Sequence, residues 1–294
     1  HLIKFLNFLT VNFYLLFFKY DILHLTYFRK NLINKKNKKF VISIPDMIPE
    51  SNRHLFKNYK LVHPYKKELA KKADLIITIS KVSKKKIIES YKLNNKKVIV
   101  IYPSIDSNIK IKKKYPKIYN YILFVGNRDG YKNFKILFDV FTNLLKKFKD
   151  LKLVCIGKEF SSQENKIINM RNLNEKIINV GFVSDEYKNF LYQKAKLFIF
   201  PSLDEGFGIP IIESYANRCP IILANTEIFK EVAGKFGIFY KKNSKRDLYK
   251  KLHQVLSKNV IYRKRFRTKK FKVFFQRYSH NNSKVNLENA YSKL

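Results

Sequence analysis

The chain has 294 residues, of which 46% are hydrophobic, and it carries a formal net charge of +39. Its length favours two domains, and its hydrophobic content excludes a disordered or fibrous chain. The two cysteines, Cys155 and Cys219, fit neither a disulfide framework nor a metal-ligand spacing, which indicates a reducing compartment. The charge suits anionic partners, but the lysines are spread along the whole chain, as an AT-rich coding sequence also produces.

The first apolar stretch, residues 5–18, is interrupted by Asn7 and Asn12. It falls short of the roughly 20 apolar residues that a membrane-spanning helix needs. It also lacks a convincing signal-peptide cleavage site. We therefore predict a packed helix inside a domain. Because the first residue is His1, we expect the chain to begin within a longer reading frame.

Short apolar runs alternate with helical stretches in two series along the chain. The predicted strands are residues 21–24, 40–44, 75–79 and 98–101, and then 121–125, 151–156, 177–180, 197–200 and 221–224. This alternation predicts two parallel sheets with helices on both faces. The lysine-rich segment 110–116 is the predicted linker. The assigned domains are residues 1–114, residues 115–275, and a C-terminal helical segment, 276–294, that packs back toward the first domain.

The stretch 200–213 follows a predicted buried strand and leads into a predicted helix. After its glycine-rich bend comes Pro210, which suits the first turn of a helix because its nitrogen carries no hydrogen. A strand, a glycine-rich turn and a helix N-terminus together present backbone N–H groups to an anion. Seven residues separate Glu205 from Glu213, so both carboxylates could face a single ligand.

Arg128 and Lys132 lie in the turn after the predicted strand 121–125. That turn shares an edge of the sheet with the bend after Phe200, because the carboxyl ends of parallel strands meet at one edge. Two cations beside a helix N-terminus suit a diphosphate. The two cations, the two carboxylates or the glycine-rich turn would each be unremarkable alone in so basic a chain. Together, the cations, the N–H groups and the two carboxylates predict a site for a nucleotide sugar.

These motifs resemble those of the retaining GT-B glycosyltransferases of the family-4, or glycosyl transferases group 1, type. That family includes bacterial mannosyltransferases of surface-polysaccharide synthesis. The stretch 200–213 resembles the family's E-x₇-E signature. Further matches follow the family's order, at residues 46–50, 73–80, 124–133, 181–184, 195–202 and 231–234. The resemblance covers nearly the whole chain.

The resemblance implies an α/β GT-B fold with two doubly wound Rossmann-like domains that face each other across a cleft. It also implies a retaining hexosyltransferase that moves mannose or a similar sugar to a saccharide or lipid-linked saccharide acceptor. The donor would be a nucleotide sugar such as GDP-mannose or a UDP-sugar, with no metal or other cofactor and no nucleic-acid partner. The implied location is the cytoplasm, and the basic surface suits peripheral contact with the inner face of the plasma membrane.

The resemblance also assigns roles to particular residues. Arg128 and Lys132 match the pair that holds the donor diphosphate. Glu205 matches the carboxylate near the transferred sugar and is the main catalytic candidate, whereas Glu213 matches the carboxylate that binds the ribose. The residues expected at the donor sugar and ribose are Glu205, Gly206, Phe207, Gly208 and Glu213.

The first domain departs from the family pattern in two places. The family usually has a His directly before the Asp that corresponds to Asp46, and here that position is Pro45. Asp46 and the nearby His24 are the remaining catalytic candidates of this domain, although a lone His at a strand end is more often structural. The family's first strand and glycine-rich loop have no match either, so we expect an incomplete first domain and a truncated gene product.

Other classes of protein remain open. Nucleotide-sugar 2-epimerases and pyridoxal-dependent phosphorylases share the fold but lack this E-x₇-E arrangement. A donor-binding remnant or non-catalytic homologue fits Pro45 and the missing start. A nucleic-acid binder fits the charge, but the sequence has no recognised binding motif or aromatic–basic stripe.

Overall fold

The computed structural model describes residues 2–26, 28, 38–56, 59–106, 111–128 and 130–294. The chain divides into two compact units. The first unit is residues 1–102 together with 283–294, and the second unit is residues 103–282. Lys110 of the predicted linker and Asp129 of the 124–133 motif lie outside the described residues.

The first unit has a fully parallel sheet with the strand order β1-β2-β3-β4 among its described residues. The strands are β1 (Ile22–Leu25), β2 (Lys39–Ser43), β3 (Leu75–Thr78) and β4 (Val98–Val100). The helices are α1 (Leu2–Phe17), α2 (Ile48–Ser51), α3 (Tyr59–Lys72) and α4 (Lys81–Tyr91). Helix α4 begins after Ser80, whose hydroxyl caps it by accepting a hydrogen bond from the N–H of Ser83 at 2.9 Å.

The second unit has a parallel sheet with the strand order β10-β9-β8-β5-β6-β7. The strands are β5 (Tyr121–Val125), β6 (Lys152–Ile156), β7 (Ile177–Asn179), β8 (Leu197–Phe200), β9 (Ile221–Ala224) and β10 (Ile238–Tyr240). The helices are α5 (Lys135–Leu145), α6 (Ser162–Met170), α7 (Asp185–Lys194), α8 (Ile209–Ala216), α9 (Glu227–Ala233), α10 (Lys245–Ser257), α11 (Asn259–Lys264) and α12 (Lys269–Phe275). The final helix, α13 (His280–Tyr291), lies mostly in the first unit, where its Ala290 joins a buried cluster with Val41 and Leu75.

Strands β3, β8 and β9 are buried at every position. Such strands are continuous apolar runs because helices cover both faces of a parallel sheet. The predicted class, α/β with two parallel sheets, is therefore confirmed.

Helix α1 contradicts the prediction that the first apolar stretch packs inside a domain. Only 7% of Asn12 and 8% of Leu15 is exposed, whereas 54% of Phe13 and 70% of Phe17 is exposed. The prediction was wrong because only the narrow stripe that holds Asn12 and Leu15 is covered by the described residues. Within those same residues, no helix is both long enough and apolar enough to span a membrane.

Strand β10 has no counterpart among the predicted strands, the last of which is 221–224. Its three residues pair in parallel with β9. An apolar run this short has no periodicity that would distinguish a strand from a loop. The pairing with β9, which the tertiary structure supplies, makes it a strand.

Candidate functional site

The two strands that lead into the predicted site, β5 and β8, are neighbours in the sheet of the second unit. From β5 the chain runs outward through β6 to β7, and it then returns to β8 on the other side of β5. The connections after β5 and β8 therefore leave in opposite directions, which opens a crevice at their carboxyl ends, where doubly wound sheets bind ligands. The parallel pairing confirms the prediction that the turns after Val125 and Phe200 share one edge.

Lys132 and Glu205 join the two loops at this crevice. The Lys132 Nζ lies 2.6 Å from the Glu205 Oε1, and the two side chains are 20% and 10% exposed. Beside this ion pair, the Leu203 N–H donates to the Tyr131 carbonyl oxygen at 2.7 Å. The structure therefore brings together a cation from the loop after β5 and a carboxylate from the loop after β8.

The environment of Glu205 opposes its ionisation. Burial raises the pKa of Glu205, and the nearby Lys132 ammonium only partly offsets that rise. The carboxylate therefore depends on a positive neighbour for its charge, since an isolated buried carboxylate would instead take up a proton.

Gly208 shapes the bend before α8. It is the N-cap of α8 with φ at +99°, a conformation that side-chain-bearing residues rarely adopt. A Cβ atom at this position would also lie 3.0 Å from Ile211 and 3.3 Å from the Phe200 ring. Pro210 stands in the first turn of α8, as predicted. The amide end of α8 thus begins immediately after the Glu205 loop.

Phe207 points into the protein rather than into the crevice. It is 2% exposed, and its ring packs edge-on against Tyr278 with the ring centroids 5.7 Å apart. Its aromatic side chain therefore belongs to the core of the second unit. The part of Phe207 that remains for a ligand is its backbone, and its contact with a donor sugar stays a prediction.

Glu213 has its own set of partners, which come from α7. Its Oε1 lies 2.8 Å from the Lys188 Nζ, and its Oε2 accepts a hydrogen bond from the Tyr192 hydroxyl at 3.1 Å. Burial alone would lower the pKa of Lys188, but its bonds to Asp185 and Glu213 raise it. Glu205 and Glu213 are thus held by different elements, and their convergence on one ligand stays a prediction.

Arg128 is held on the β6 side of the crevice, and its ion-pair partner differs from that of Lys132. Its Nε donates to the Glu164 Oε1 at 2.8 Å, and its side chain is only 4% exposed. The guanidinium carbon lies 4.6 Å from the centre of the Phe160 ring. Arg128 and Lys132, the two residues predicted to bind the diphosphate, are therefore paired with different carboxylates.

In the first unit, the loop before α2 rests on a buried ionic cluster. Its Asp46 carbonyl oxygen accepts from the Lys66 Nζ at 2.8 Å, and that ammonium lies 3.0 Å from the Glu50 carboxylate. The His63 Nδ1 and the Tyr91 hydroxyl lie 3.2 and 3.1 Å from the same carboxylate. The Asp46 side chain accepts a bond from its own loop, at the Ile48 N–H. The cluster therefore fixes the loop that carries this catalytic candidate.

The other candidate of the first unit, His24, uses both ring nitrogens within the protein. Its Nδ1 lies 2.6 Å from the Tyr291 hydroxyl, and its Nε2 lies 2.9 Å from the Ser43 hydroxyl. Burial lowers the pKa of His24. These contacts connect β1 to β2 and to α13, which is a structural role.

This arrangement predicts a pH effect on stability. The pKa of His24 is depressed in the folded state, so its contribution is present above the ordinary value of 6.5 and is lost as the pH falls through the folded value. We expect the free energy of unfolding to decline as the pH falls below about 6.5, and the decline to be smaller in His24→Gln. Urea denaturation at a series of pH values measures both. Identical pH dependence in the two proteins would contradict this role.

The described residues contain no cluster of three or more His, Cys, Asp or Glu side chains that could hold a metal ion.

The sequence did not predict three ion pairs that hold candidate residues: Glu164 with Arg128 and Lys188 with Glu213 in the second unit, and Lys66 with Glu50 in the first. Glu164 did have a local signal, because Ser161 and Glu164 have the spacing of a helix capping box. Lys188 and Lys66 had none, since each lies on a helix among many other lysines.

The chain has two units built on parallel sheets, and in the second unit a glycine-containing loop and a helix N-terminus lie at the topological switch point. This is the architecture of GT-B glycosyltransferases. The family profile described as "Glycosyl transferases group 1" matches residues 104–273, and the profile described as "Glycosyltransferase Family 4" matches residues 2–108. The chain therefore belongs to the group 1 glycosyl transferases.

Two curated relatives are similar in sequence. The O-antigen chain mannosyltransferase RfbU of Salmonella typhimurium is 32% identical over 165 residues, which are 55% of this chain and 45% of RfbU. A Campylobacter jejuni enzyme, the N-acetylgalactosamine-N,N'-diacetylbacillosaminyl-diphospho-undecaprenol 4-alpha-N-acetylgalactosaminyltransferase, is 29% identical over 211 residues, or 67% of this chain and 54% of that enzyme. The chain thus spans about half the length of these relatives.

A solved structure shares the fold. Anabaena Alr3699/HepE in complex with UDP-glucose superimposes with a TM-score of 0.70 and 17% identity. The match covers 87% of this chain and 73% of HepE. At this identity the likeness supports the GT-B fold alone.

Proposed function

We propose that the second unit binds a nucleotide-sugar donor and that the protein transfers a hexose, mannose or a similar sugar, with retention. The observation that carries the proposal is the Lys132–Glu205 ion pair, 2.6 Å long, at the switch point between β5 and β8. In this pair, a cation that suits a phosphate group lies beside a carboxylate that suits sugar hydroxyls. Both precede the N-terminus of α8. A nucleotide sugar is the ligand that needs all of these groups within one crevice.

In this proposal Lys132 and Arg128 neutralise the donor diphosphate, and Lys132 balances the charge that develops as the diphosphate leaves. A positioned cation in a half-buried site acts strongly on developing charge because little water screens it. Glu205 lies near the transferred sugar, with the backbone of Gly206–Gly208 on its hydroxyls or on phosphate. Glu213 accepts from the ribose hydroxyls.

The Lys132–Glu205 pair couples the two halves of the donor site. When a diphosphate approaches, Lys132 gains a second anionic partner and shields Glu205 less. Burial already raises the pKa of Glu205, so a weaker contact with Lys132 would raise it further. Glu205 therefore becomes a better acceptor of hydrogen bonds from the sugar, and of a proton, at the moment the donor is in place.

The proposed substrates follow from the relatives. HepE was solved with UDP-glucose, RfbU is named as a mannosyltransferase, and the Campylobacter enzyme is named for a diphospho-undecaprenol acceptor. We therefore assign a UDP- or GDP-sugar as donor and a saccharide or lipid-linked saccharide of surface-polysaccharide synthesis as acceptor. The net charge of +39 and the exposed apolar side chains of α1 support peripheral contact with the inner face of the plasma membrane.

Thermal unfolding with UDP and with GDP tests donor binding in the 294-residue chain. A ligand at 100 times its Kd stabilises a protein by about 2.7 kcal/mol. We therefore expect the matching nucleotide to raise the Tm of the second unit by roughly 5–10 °C. Glu213→Ala should abolish the shift, and Lys250→Ala, which removes an exposed lysine of α10, should preserve it. No shift with either nucleotide would contradict the proposal.

A second candidate is a donor-binding homologue that does not catalyse transfer. It is favoured by Pro45, which stands where the family usually has a His and whose carbonyl oxygen accepts from the Thr78 hydroxyl at 3.3 Å. It is also favoured by His24, because both its ring nitrogens are engaged within the first unit. Incubation with labelled nucleotide sugars separates the two: a thermal shift without release of nucleotide or transfer of label would establish the binding-only homologue.

A further inference from the structure

Arg128 is almost fully engaged by groups of the protein. Besides the bond from its Nε to Glu164, its Nη2 donates to the carbonyl oxygens of Lys158 and Glu159 at 2.6 and 2.5 Å. These three acceptors all belong to the connection from β6 to α6 and the first turn of α6. With only 4% of the side chain exposed, the guanidinium is fixed rather than free to swing.

The remaining nitrogen of the guanidinium, Nη1, is different. It is buried and has no hydrogen-bond partner among the described residues. It lies beside Gly157, where a Cβ atom would stand 3.9 Å from Nη1 and 2.6 Å from the Gly126 carbonyl oxygen. A buried N–H group without a partner is costly, so such groups are rare without a reason. This one lies at the ends of β5 and β6, on the ligand-binding edge of the sheet.

Glu164 is itself fixed by the start of α6. Its Oε2 accepts from the Ser161 N–H at 2.8 Å, and its own N–H donates to the Ser161 hydroxyl at 3.2 Å. These reciprocal bonds form a capping box, which sets the direction of the Glu164 side chain. The other carboxylate oxygen, Oε1, then accepts from the Arg128 Nε. The helix start therefore determines where the guanidinium lies.

We propose that Glu164 is a positioning residue for donor binding, which holds Arg128 so that Nη1 is the nitrogen left to donate to a diphosphate oxygen. This inference rests on the proposed function. Withdrawal of Arg128 would break a buried ion pair and two hydrogen bonds to carbonyl oxygens at once, so the guanidinium stays in place when a phosphate binds. Glu164 acts through Arg128 and need not touch the donor.

Titration of UDP and GDP into the 294-residue chain tests this role, with Glu164→Gln as the central variant. Glutamine keeps an oxygen for the Ser161 N–H, so the capping box survives, but it loses the charge that holds Arg128. Because hydrogen bonds to charged groups contribute more than neutral ones, we expect the affinity for the matching nucleotide to fall about tenfold. Under turnover, the donor KM should rise while kcat changes little.

The matched control is Ser244→Ala, which removes the N-cap hydroxyl of a different helix, α10, and leaves the Glu164–Arg128 contact. It should lower the Tm and leave the affinity unchanged. A double-mutant cycle with Arg128→Ala gives the decisive readout, because Glu164→Gln should have no further effect once Arg128 is absent. Additive effects of the two substitutions, or wild-type affinity in Glu164→Gln, would overturn the inference.

Two further outcomes are distinguishable. If Glu164→Gln does not fold, Glu164→Asp tests the same contact, because its shorter side chain keeps the charge but draws the carboxylate away from the Arg128 Nε. Unchanged nucleotide affinity in Glu164→Asp would overturn the positioning role.

If the wild-type chain binds neither nucleotide, the proposed function itself fails, and the inference falls with it. Binding by the wild type together with normal binding by both Glu164 variants would overturn the positioning role alone.

Discussion

Replacement of Lys132 by alanine is expected to reduce the rate of sugar transfer by about 100- to 1000-fold, the range found when one positioned electrostatic donor is removed from an active site. Lys132 is the cation at the switch point, and its ammonium contacts the Glu205 carboxylate directly. Its loss removes both the charge that stabilises the leaving diphosphate and the partner that keeps Glu205 ionised. Release of nucleotide diphosphate from a labelled donor measures the effect.

Two variants separate chemistry from folding in this experiment. Lys132→Ala leaves a buried carboxylate without a partner and should lower the Tm, whereas Lys132→Ala with Glu205→Gln should recover part of the Tm but none of the transfer rate. Lys250→Ala supplies the matched surface control. Transfer at the wild-type rate by Lys132→Ala would exclude this crevice as the donor site.

Replacement of Glu50 by glutamine is expected to lower the free energy of unfolding by about 3–5 kcal/mol. Glu50 and Lys66 form a buried ion pair whose side chains are 8% and 5% exposed. Removing the carboxylate leaves the Lys66 ammonium buried without its counter-charge, beside the Asp46 carbonyl oxygen. Urea denaturation of the wild type and the variant measures the difference.

The matched control is Glu68→Gln, which breaks the exposed pair of Glu68 with Lys72 on the surface of α3. Exposed pairs at this spacing contribute about 0.3–0.5 kcal/mol, because water screens both charges. If both substitutions had equal effects, the buried cluster would have no special role in the first unit. A loss of unfolding free energy in Glu50→Gln with no such loss in Glu68→Gln would support a stabilising role for the buried cluster.

The Glu50 effect should also depend on pH, with a definite sign. Burial alone would raise the pKa of Glu50, but the attraction of Lys66 and the hydrogen bonds from Lys66, His63 and the backbone together outweigh it, so the folded pKa lies below the ordinary value of 4.5. A carboxylate whose pKa is lowered by folding stabilises the protein above its unfolded pKa, and this stabilisation is lost as the pH falls through the folded pKa. The difference in the free energy of unfolding between wild type and Glu50→Gln should therefore become smaller as the pH falls below about 4.5.

Local patterns were sufficient for the framework of the donor-side unit. Strands β5, β8 and β9 match their predicted bounds residue for residue, since each is a short apolar run with a clear stop after it. Pro210 also lies in the first turn of α8, as predicted, because proline acts within one turn of the chain. The order of strands and helices then brings the loops after Val125 and Phe200 to one edge.

The partners of the charged side chains depend on contacts between segments far apart in the chain. Lys132 meets Glu205 across 73 residues, and Arg128 meets Glu164 across 36. In a chain with 61 lysines and arginines and 22 aspartates and glutamates, spacing alone does not select which cation each carboxylate meets. That choice follows from how α6, α7 and the strand-end loops pack.

The sequence therefore determined the parallel α/β architecture and the edge of the sheet where the site lies, because hydrophobic period, glycine and proline act over short distances. The folded structure decided that Arg128 is buried against α6 while Lys132 faces Glu205, and that His24 is tied to Ser43 and Tyr291. It also decided that most of residues 6–17 of α1 are exposed. Burial and ion pairing are properties of the packed chain, so they could not be derived from local pattern.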